Sequence, residues 1–252
     1  MQEKIFFKNS SGQKLAGVLH VPNNKKKYPA VVMLHGRGSD KETHDKTGFA
    51  DSLMKHGFIV LRFDMPGCGE SDGRMEEMTI SSEVDSAKAA IDFLCKQKFV
   101  DSKRIELTGS SQGGFDSLVL APKDSRIKAL VTVSAVIDFD ETFSKRGTDL
   151  KQWKKDGFSI IGKRLLKLNY SYVEDIKKYD MKKIVPKIKC PTLVLHGDRD
   201  ETVPVSQAHR LYKLLKCEKS MHIIKGAKHN FEGNEVEERL AYTIKWFNKW
   251  LK

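Results

Sequence analysis

Two kinds of hydrophobic pattern alternate along the chain. Short, nearly continuous apolar runs occur at "YPAVVMLHG" (28–36), "FIVLRFD" (58–64), "RIELTGS" (104–110), "IKALVTVSA" (127–135) and "CPTLVLHG" (190–197), with a weaker one at "SMHIIKG" (220–226). Runs without polar alternation predict strands covered on both faces, as in a parallel sheet. Between them lie segments with helical spacing. Residues 43–57 end in Gly57, a C-cap candidate, and 81–97 carry Val84, Ala87, Ala90, Ile91 and Leu94 on one stripe with Ser81 or Ser82 as N-cap. Residues 206–216 and 235–252 repeat the pattern. At the front, "KIFFK" and "KLAGVLHV" flank the turn residues "NSSGQ" and predict an antiparallel hairpin with His20 in an edge strand.

Strand–helix alternation implies right-handed crossovers, so the fold class is α/β: a mostly parallel central sheet with helices on both faces. Residues 138–182 break the alternation. They are longer than a crossover helix requires, and rich in lysine, aromatics and short helical pieces. They read as an insertion after the sixth strand, over the carboxyl edge where open α/β sheets bind ligands; the alternative is a structural crossover with an extra helix. The expected organisation is a core of 1–137 and 183–252 with a lid at 138–182.

Composition narrows the class. The chain has 252 residues, 39% hydrophobic and 31% charged, which suits one α/β domain. "MQEKIFFKNSSG" sets charges around three apolar residues and lacks a secretory run, so a cytoplasmic protein is expected. No stretch reaches the ~18–20 apolar residues of a membrane span. Cys68, Cys95, Cys190 and Cys217 form no Cys-x-x-Cys pair and are expected as free thiols, with no zinc-ligand spacing and no cofactor signature. The formal charge of +12 comes from scattered lysines, dense only at Lys25–Lys27 and over 145–189. No basic motif interleaved with aromatics appears, so nucleic acid is not an expected partner.

The chemistry centres on "TGSSQGGF" (108–115). In the frame Gly-x-Ser-x-Gly, Gly109 and Gly113 flank Ser111; moving the frame to Ser110 puts Thr108 and Gln112 in those places. A serine on a sharp strand-to-helix turn brings the residues two before and two after it together, so both must be very small. Ser111 is therefore the nucleophile candidate, at the N-terminus of a helix whose positive end favours developing negative charge. It needs a base and an acid to orient that base. Among eight histidines, His229 stands in "GAKHNFEG", a loop after the last strand, and is the candidate base. His35 and His196 precede glycines at strand ends and read as loop buttresses; His20, His44, His56, His209 and His222 read as core or surface. Asp198, Asp200 and Asp138 all follow strands, and spacing alone leaves the acid open.

"HGRGSD" (35–40), "FDMPGCGESDG" (63–73), "GSSQGG" (109–114), "HGDRDETVP" (196–204) and "GAKHNF" (226–231) resemble α/β-hydrolase fold enzymes over nearly the whole chain except 138–182. The family order Ser…Asp…His and its His-Gly-x-x-Asp-x-x-Val-Pro motif imply the triad Ser111, Asp200 and His229, with Asp198 shaping its loop. The resemblance also implies an oxyanion hole built from the backbone N–H groups of Arg37 and Gln112. Asp64, Gly67, Gly69 and Ser71 would hold the loop closing one side of the pocket. The Arg37 side chain could attract an anionic substrate group; the alternative is that it is solvated or paired with a carboxylate.

Within the fold the chain most resembles small carboxylesterases, including cinnamoyl (feruloyl) esterases, and the catalytic domain of prolyl-oligopeptidase-like peptidases. The latter usually carry a propeller for which this chain has no room, which favours an esterase for small or medium acyl or aryl esters. Phe139, Phe143, Trp153 and Tyr172, with Phe158 and Tyr170, are candidate acyl or aryl pocket residues; the alternative is that they anchor the insertion to its own core. A thioesterase, monoacylglycerol lipase or small serine peptidase is the second reading. The third is a binding protein on the same scaffold. The resemblance also allows a homodimer, with no stretch of sequence marking its surface.

Overall fold

Each apolar run becomes a strand, and the chain order of the elements follows the alternation. The structure is a computed structural model that describes residues 1–22, 26–42, 44–162 and 165–250. Lys25 of the basic run, Thr43 at the start of the first helical pattern, and Leu251 and Lys252 at the end of the last lie outside the described residues.

The front hairpin is β1 (Gln2–Lys8) and β2 (Lys14–His20), antiparallel from Gln2↔His20 to Lys8↔Lys14. Then come β3 (Tyr28–Leu34), α1 (His44–Lys55), β4 (Ile59–Phe63), α2 (Ile80–Cys95), β5 (Val100–Ser110), α3 (Gln112–Leu120) and β6 (Ile127–Val133). The segment after β6 holds α4 (Phe139–Lys145), α5 (Leu150–Asp156), β7 (Phe158–Ile161), β8 (Leu166–Asn169), α6 (Ser171–Ile176) and α7 (Met181–Ile184). The chain closes with β9 (Thr192–Gly197), α8 (Val205–Leu214), β10 (Lys219–Ile224) and α9 (Asn234–Trp250).

The main sheet runs β1-β2-β4-β3-β5-β6-β9-β10, parallel from β4 onward, with β2 antiparallel to both neighbours. Alternate side chains of β3 enter opposite cores. Val32 and Leu34 join Ile91 of α2, Phe115 of α3 and Leu211 of α8; Val31 and Met33 join Leu53 of α1 and Phe247 of α9. Both faces are thus covered, which explains the unbroken apolar runs.

Three expectations change. His20 is not on an edge: β1 is the edge strand, and His20 is fully buried between Asp51 (2.8 Å) and the Arg62 Nε donor (2.9 Å). The N-cap of α2 is Thr79, one turn before the stripe begins, and Ser82 is its reciprocal partner in a capping box. The inserted segment is not only helical, because β7 and β8 pair as an antiparallel hairpin. Its pairing is set by residues that carry no hydrophobic alternation beyond four positions, too short to read.

That segment is tied down at both flanks. Gln207 of α8 accepts from the Ile137 and Asp138 N–H groups (2.8 and 3.0 Å), and Asp175 of α6 accepts from Ser81 N–H (2.7 Å) and Ser81 Oγ (2.8 Å). Asp138, one of the three candidate acids, is the N-cap of α4, accepting from Glu141 N–H.

Candidate active site

β5 ends at Ser110 and α3 starts at Gln112, leaving Ser111 alone on the turn with φ 55° and ψ −117°. A non-glycine side chain at positive φ is strained, and the surroundings hold it there. Ser111 N–H donates to Val133 O (2.9 Å), and Ser111 O accepts from Val136 N–H (3.2 Å) and Gly114 N–H (3.1 Å). The flanking glycines are required sterically: a Cβ on Gly109 would stand 2.1 Å from Gly113 O, and one on Gly113 would stand 2.5 Å from His35 O. Gly114 is equally confined, its Cβ position lying 2.5 Å from Ala135 Cβ.

Loops after β9 and β10 bring the other two residues to this turn. His229 Nε2 lies 3.1 Å from Ser111 Oγ, and His229 Nδ1 lies 2.8 Å from Asp200 Oδ2. Burial alone would raise the Asp200 carboxyl. Hydrogen bonds from His196 and His229, the charge of His229 and the Val203 N–H more than offset this and hold it well below the usual carboxylate range. An ionised carboxylate can only accept, so His229 Nδ1 carries the proton and Nε2 is free to accept from Ser111 Oγ–H. Asp200 Oδ1 accepts from Thr202 and Val203 N–H, each at 2.8 Å.

Asp198 stays out of this arrangement. Its Oδ1 accepts from Gly226 N–H at 2.6 Å, tying the acid loop to the His229 loop. The two buttressing histidines behave as expected: His35 Nε2 accepts from Met65 N–H (2.9 Å), and buried His196 contacts Val203 O (3.0 Å). Asp64 accepts from Lys41 Nζ (2.7 Å) and from Glu70 N–H (2.9 Å), and Gly69 packs so closely on it that a Cβ would stand 2.2 Å from Asp64 Oδ2.

On the other side of Ser111 lies the Gly36–Ser39 turn, closed by Ser39 N–H to Gly36 O (3.0 Å), with a Gly36 Cβ position only 3.1 Å from Ser111 Cβ. Among the described residues, neither Arg37 N–H nor Gln112 N–H, the latter an orphan of the helix N-terminus, donates to a protein acceptor. Leu166 of β8 covers the turn: a Gly38 Cβ would stand 2.3 Å from Leu166 Cδ1.

The Gln112 side chain enters a network that the sequence pattern did not reveal. Its amide donates to Glu83 Oε2 and its carbonyl accepts from Tyr172 Oη; Arg37 Nη1 donates to Tyr172 Oη at 3.1 Å. Glu83 of α2 is buried against Asp116 of α3, whose carboxyl oxygens receive no hydrogen bond from backbone or a basic side chain. Burial pushes Glu83 up to about 7, and burial together with the Glu83 charge pushes Asp116 well above the carboxylate range. Burial likewise pushes the Tyr172 phenol up. The signal for Glu83 was present: it falls on the Ile80, Val84, Ala87 stripe of α2, an acid where the pattern calls for an apolar residue.

The four candidate pocket aromatics are 4%, 2%, 1% and 0% exposed at Phe139, Phe143, Trp153 and Tyr172, so they form a packed cluster and not an open wall. Phe139 stands 5.0 Å from Phe115 of α3, Phe143 stands 5.8 Å from Trp153, and Trp153 stacks at 6.4 Å on Tyr172. Trp153 Nε1–H donates to Leu168 O at 3.0 Å. These rings pack on one another and on α3, holding the inserted segment against that helix; Phe143 and Tyr172 also flank the Arg37 guanidinium.

A strained serine at a strand–helix turn, facing a histidine and a carboxylate from later loops, invites comparison with known hydrolases. A model of the prolyl oligopeptidase family matches residues 47–252. The chain belongs to the prolyl oligopeptidase family. This family member is 27% identical to the human serine hydrolase BPHL over 87% of its own length and 79% of that protein's. Est1E from Butyrivibrio proteoclasticus, solved with ferulic acid bound, aligns over 98% of both chains with a TM-score of 0.82 and 24% identity. The α/β-hydrolase GrgF from Penicillium sp. sh18 aligns over 100% of this chain and 99% of its own, with a TM-score of 0.85 at 18% identity. The fold is that of the α/β-hydrolases, and the chain is a serine hydrolase of that superfamily. No helix among the described residues is long and apolar enough to cross a membrane.

Proposed function

We propose that this chain is a carboxylic-ester hydrolase for small to medium acyl or aryl esters, with Ser111 as nucleophile, His229 as general base and Asp200 as its orienting acid. The supporting observation is the relay Ser111 Oγ–His229 Nε2 (3.1 Å) and His229 Nδ1–Asp200 Oδ2 (2.8 Å) on a strained turn. Ser111 Oγ attacks the ester carbonyl as His229 takes its proton, giving a tetrahedral oxyanion. The N–H groups of Arg37 and Gln112 receive that oxyanion. His229 then returns the proton to the departing alcohol, leaving an acyl-Ser111 ester. Water deprotonated by His229 attacks this ester, and proton return to Ser111 Oγ releases the acid.

The experiment is hydrolysis of p-nitrophenyl esters from acetate to long-chain, and of methyl ferulate, by wild type and Ser111→Ala. Wild-type turnover lost in the variant is expected; equal inactivity of both overturns the reading. The family match favours peptide bonds as the second reading, so p-nitroanilides of short peptides belong in the same panel. A thioester panel separates a thioesterase, since the same attack serves all three bonds.

A further inference from the structure

Most arginines whose partners are described have a carboxylate. Arg62 pairs with Glu42, Arg104 with Asp101, Arg126 with Asp92 and Asp124, and Arg210 with Glu141. Arg37, which follows the Gly36 that abuts Ser111, and Arg146 do not. The Arg37 guanidinium donates to Tyr172 Oη (3.1 Å) and lies 5.7 Å from the Tyr172 ring and 6.0 Å from the Phe143 ring. Arg146 follows α4 three residues after Phe143, and its Nη1 stands 3.7 Å from the Cβ position of Gly162 in the β7–β8 turn. Among the described residues, neither is ion-paired and the Arg146 guanidinium donates to no protein acceptor.

Both side chains meet the same part of the insertion: Gly162, beside Arg146, follows Ile161, whose strand partner Leu166 covers Gly38 next to Arg37. Arg146 is an exposed residue whose charged end is partly desolvated, and that desolvation, followed by the like charge of Arg37, holds it below its usual pKa; it also feels Asp200 and Tyr172. The nearby acids do not neutralise the pair. Asp200 is committed to His229 and His196, and Glu83 sits behind Gln112 and Tyr172 with its carboxyl raised to about 7. Two partly desolvated cations kept together without an anion are unfavourable, and a ligand carboxylate would satisfy both through charge-assisted hydrogen bonds.

We propose that Arg37 and Arg146 form a carboxylate-binding subsite beside Ser111, so that the preferred substrates are esters carrying a free carboxylate. This rests on the ester-hydrolase reading above and names its substrate class.

Two matched substrate pairs test it. Mono-p-nitrophenyl adipate against the corresponding adipamate places the carboxylate on the acyl side. Para-acetoxybenzoate against para-acetoxybenzamide places it on the alcohol side. In at least one pair, wild-type kcat/KM should favour the carboxylate by about tenfold or more, and Arg146→Gln and Arg37→Gln should each cut that ratio about tenfold. Arg146→Lys should restore part of it. Lys155→Gln, which removes one exposed charge from α5, should leave the ratio unchanged, separating a local site from the field of the +12 chain.

Wild-type ratios near one in both pairs overturn the subsite while leaving the ester hydrolase standing, as does an equal fall in Lys155→Gln. Binding of para-acetoxybenzoate to the Ser111→Ala protein, followed by calorimetry, reads the subsite without turnover. Mono-p-nitrophenyl adipate is titrated in the same way for the acyl side; binding of either that Arg146→Gln abolishes supports the subsite even where no ester is hydrolysed, and absence of binding of both overturns it.

Discussion

The two sides of Ser111 are built differently. On one side, Asp200 and His229 are held chiefly by backbone: Thr202 and Val203 N–H groups fix Asp200, and Gly226 N–H fixes Asp198, all within loops that directly follow β9 and β10. On the other side, Gln112 is held by side chains alone, from Glu83 on α2, Tyr172 on α6 and, through Tyr172, Arg37. Backbone donors do not titrate and change little when a side chain is replaced. Side-chain networks depend on every member and on protonation. On the proposed mechanism the difference teaches that the Asp200–His229 side is general proton-transfer machinery, whereas the side facing the inserted segment can carry both selectivity and pH sensitivity.

The largest effects belong to the backbone-held side. Ser111→Ala or His229→Ala should lower kcat on the order of 10⁶-fold, and Asp200→Asn about 10⁴-fold, with thermal unfolding near wild type. Asp198→Asn should cost far less in kcat, because the charge it loses bonds only Gly226 N–H; its expected cost is ~1–2 kcal/mol of stability. Equal kinetic losses at Asp198 and Asp200 would break the division of labour between the two acids. The measurement is steady-state kinetics on the best p-nitrophenyl ester beside a melting curve for each variant.

The same division explains what could be read without coordinates. Strands covered on both faces write themselves as apolar runs, and a turn that admits no Cβ at 109 and 113 writes itself as glycine, so the sheet, the elbow and the His229 loop were legible. The choice of Asp200 over Asp198 was not a matter of spacing; it came from a family motif, and the Gly226 bond supplies the physical reason that Asp198 is occupied. The side-chain network was not legible, because it joins residues 37, 83, 112 and 172, which only the packing of α2 and α6 around α3 brings together. The aromatic pattern over 139–172 reported burial and gave no sign of whether the rings faced a ligand or one another. The β7–β8 hairpin, four residues to a strand, carries too little periodicity to distinguish it from the helices around it.

Gln112→Ala sharpens the comparison from the other side. It keeps the backbone N–H proposed to receive the oxyanion and removes the amide that joins Glu83 to Tyr172. Losing the N–H itself would cost about 10²–10³ in kcat. The side-chain change should cost roughly tenfold, together with ~1–3 kcal/mol of stability from leaving the buried Glu83 and Tyr172 groups unpaired. A variant with wild-type stability would mean that the network is a contact without consequence. A kcat loss as deep as that of Asp200→Asn would mean that the side chain itself reaches the substrate.

The smallest expected effect is on pH dependence, and its sign follows from burial. Glu83 titrates at about 7 in the folded chain and near the ordinary glutamate value when unfolded, so between these pH values the folded state holds the extra proton. Stability attributable to Glu83 therefore falls as pH rises through that window and levels off above it. The groups facing Glu83 are Asp116 and Gln112 on α3 and Arg37 across the site; burial carries the shift, while the Gln112 and Asp116 hydrogen bonds and the Arg37 charge all oppose it. From pH 6 to pH 8 the loss should be about 1 kcal/mol, or ~2–4 °C in Tm for a chain of this size. Glu83→Gln keeps the shape and an acceptor for Gln112 but has no proton to lose, so its Tm should fall less than wild type over the same interval. The two proteins share every other titratable group, so contributions from elsewhere cancel in the difference. Parallel Tm curves would show that the acid pair keeps one protonation state throughout, and that the side-chain side of the site is as insensitive to pH as the backbone-held side.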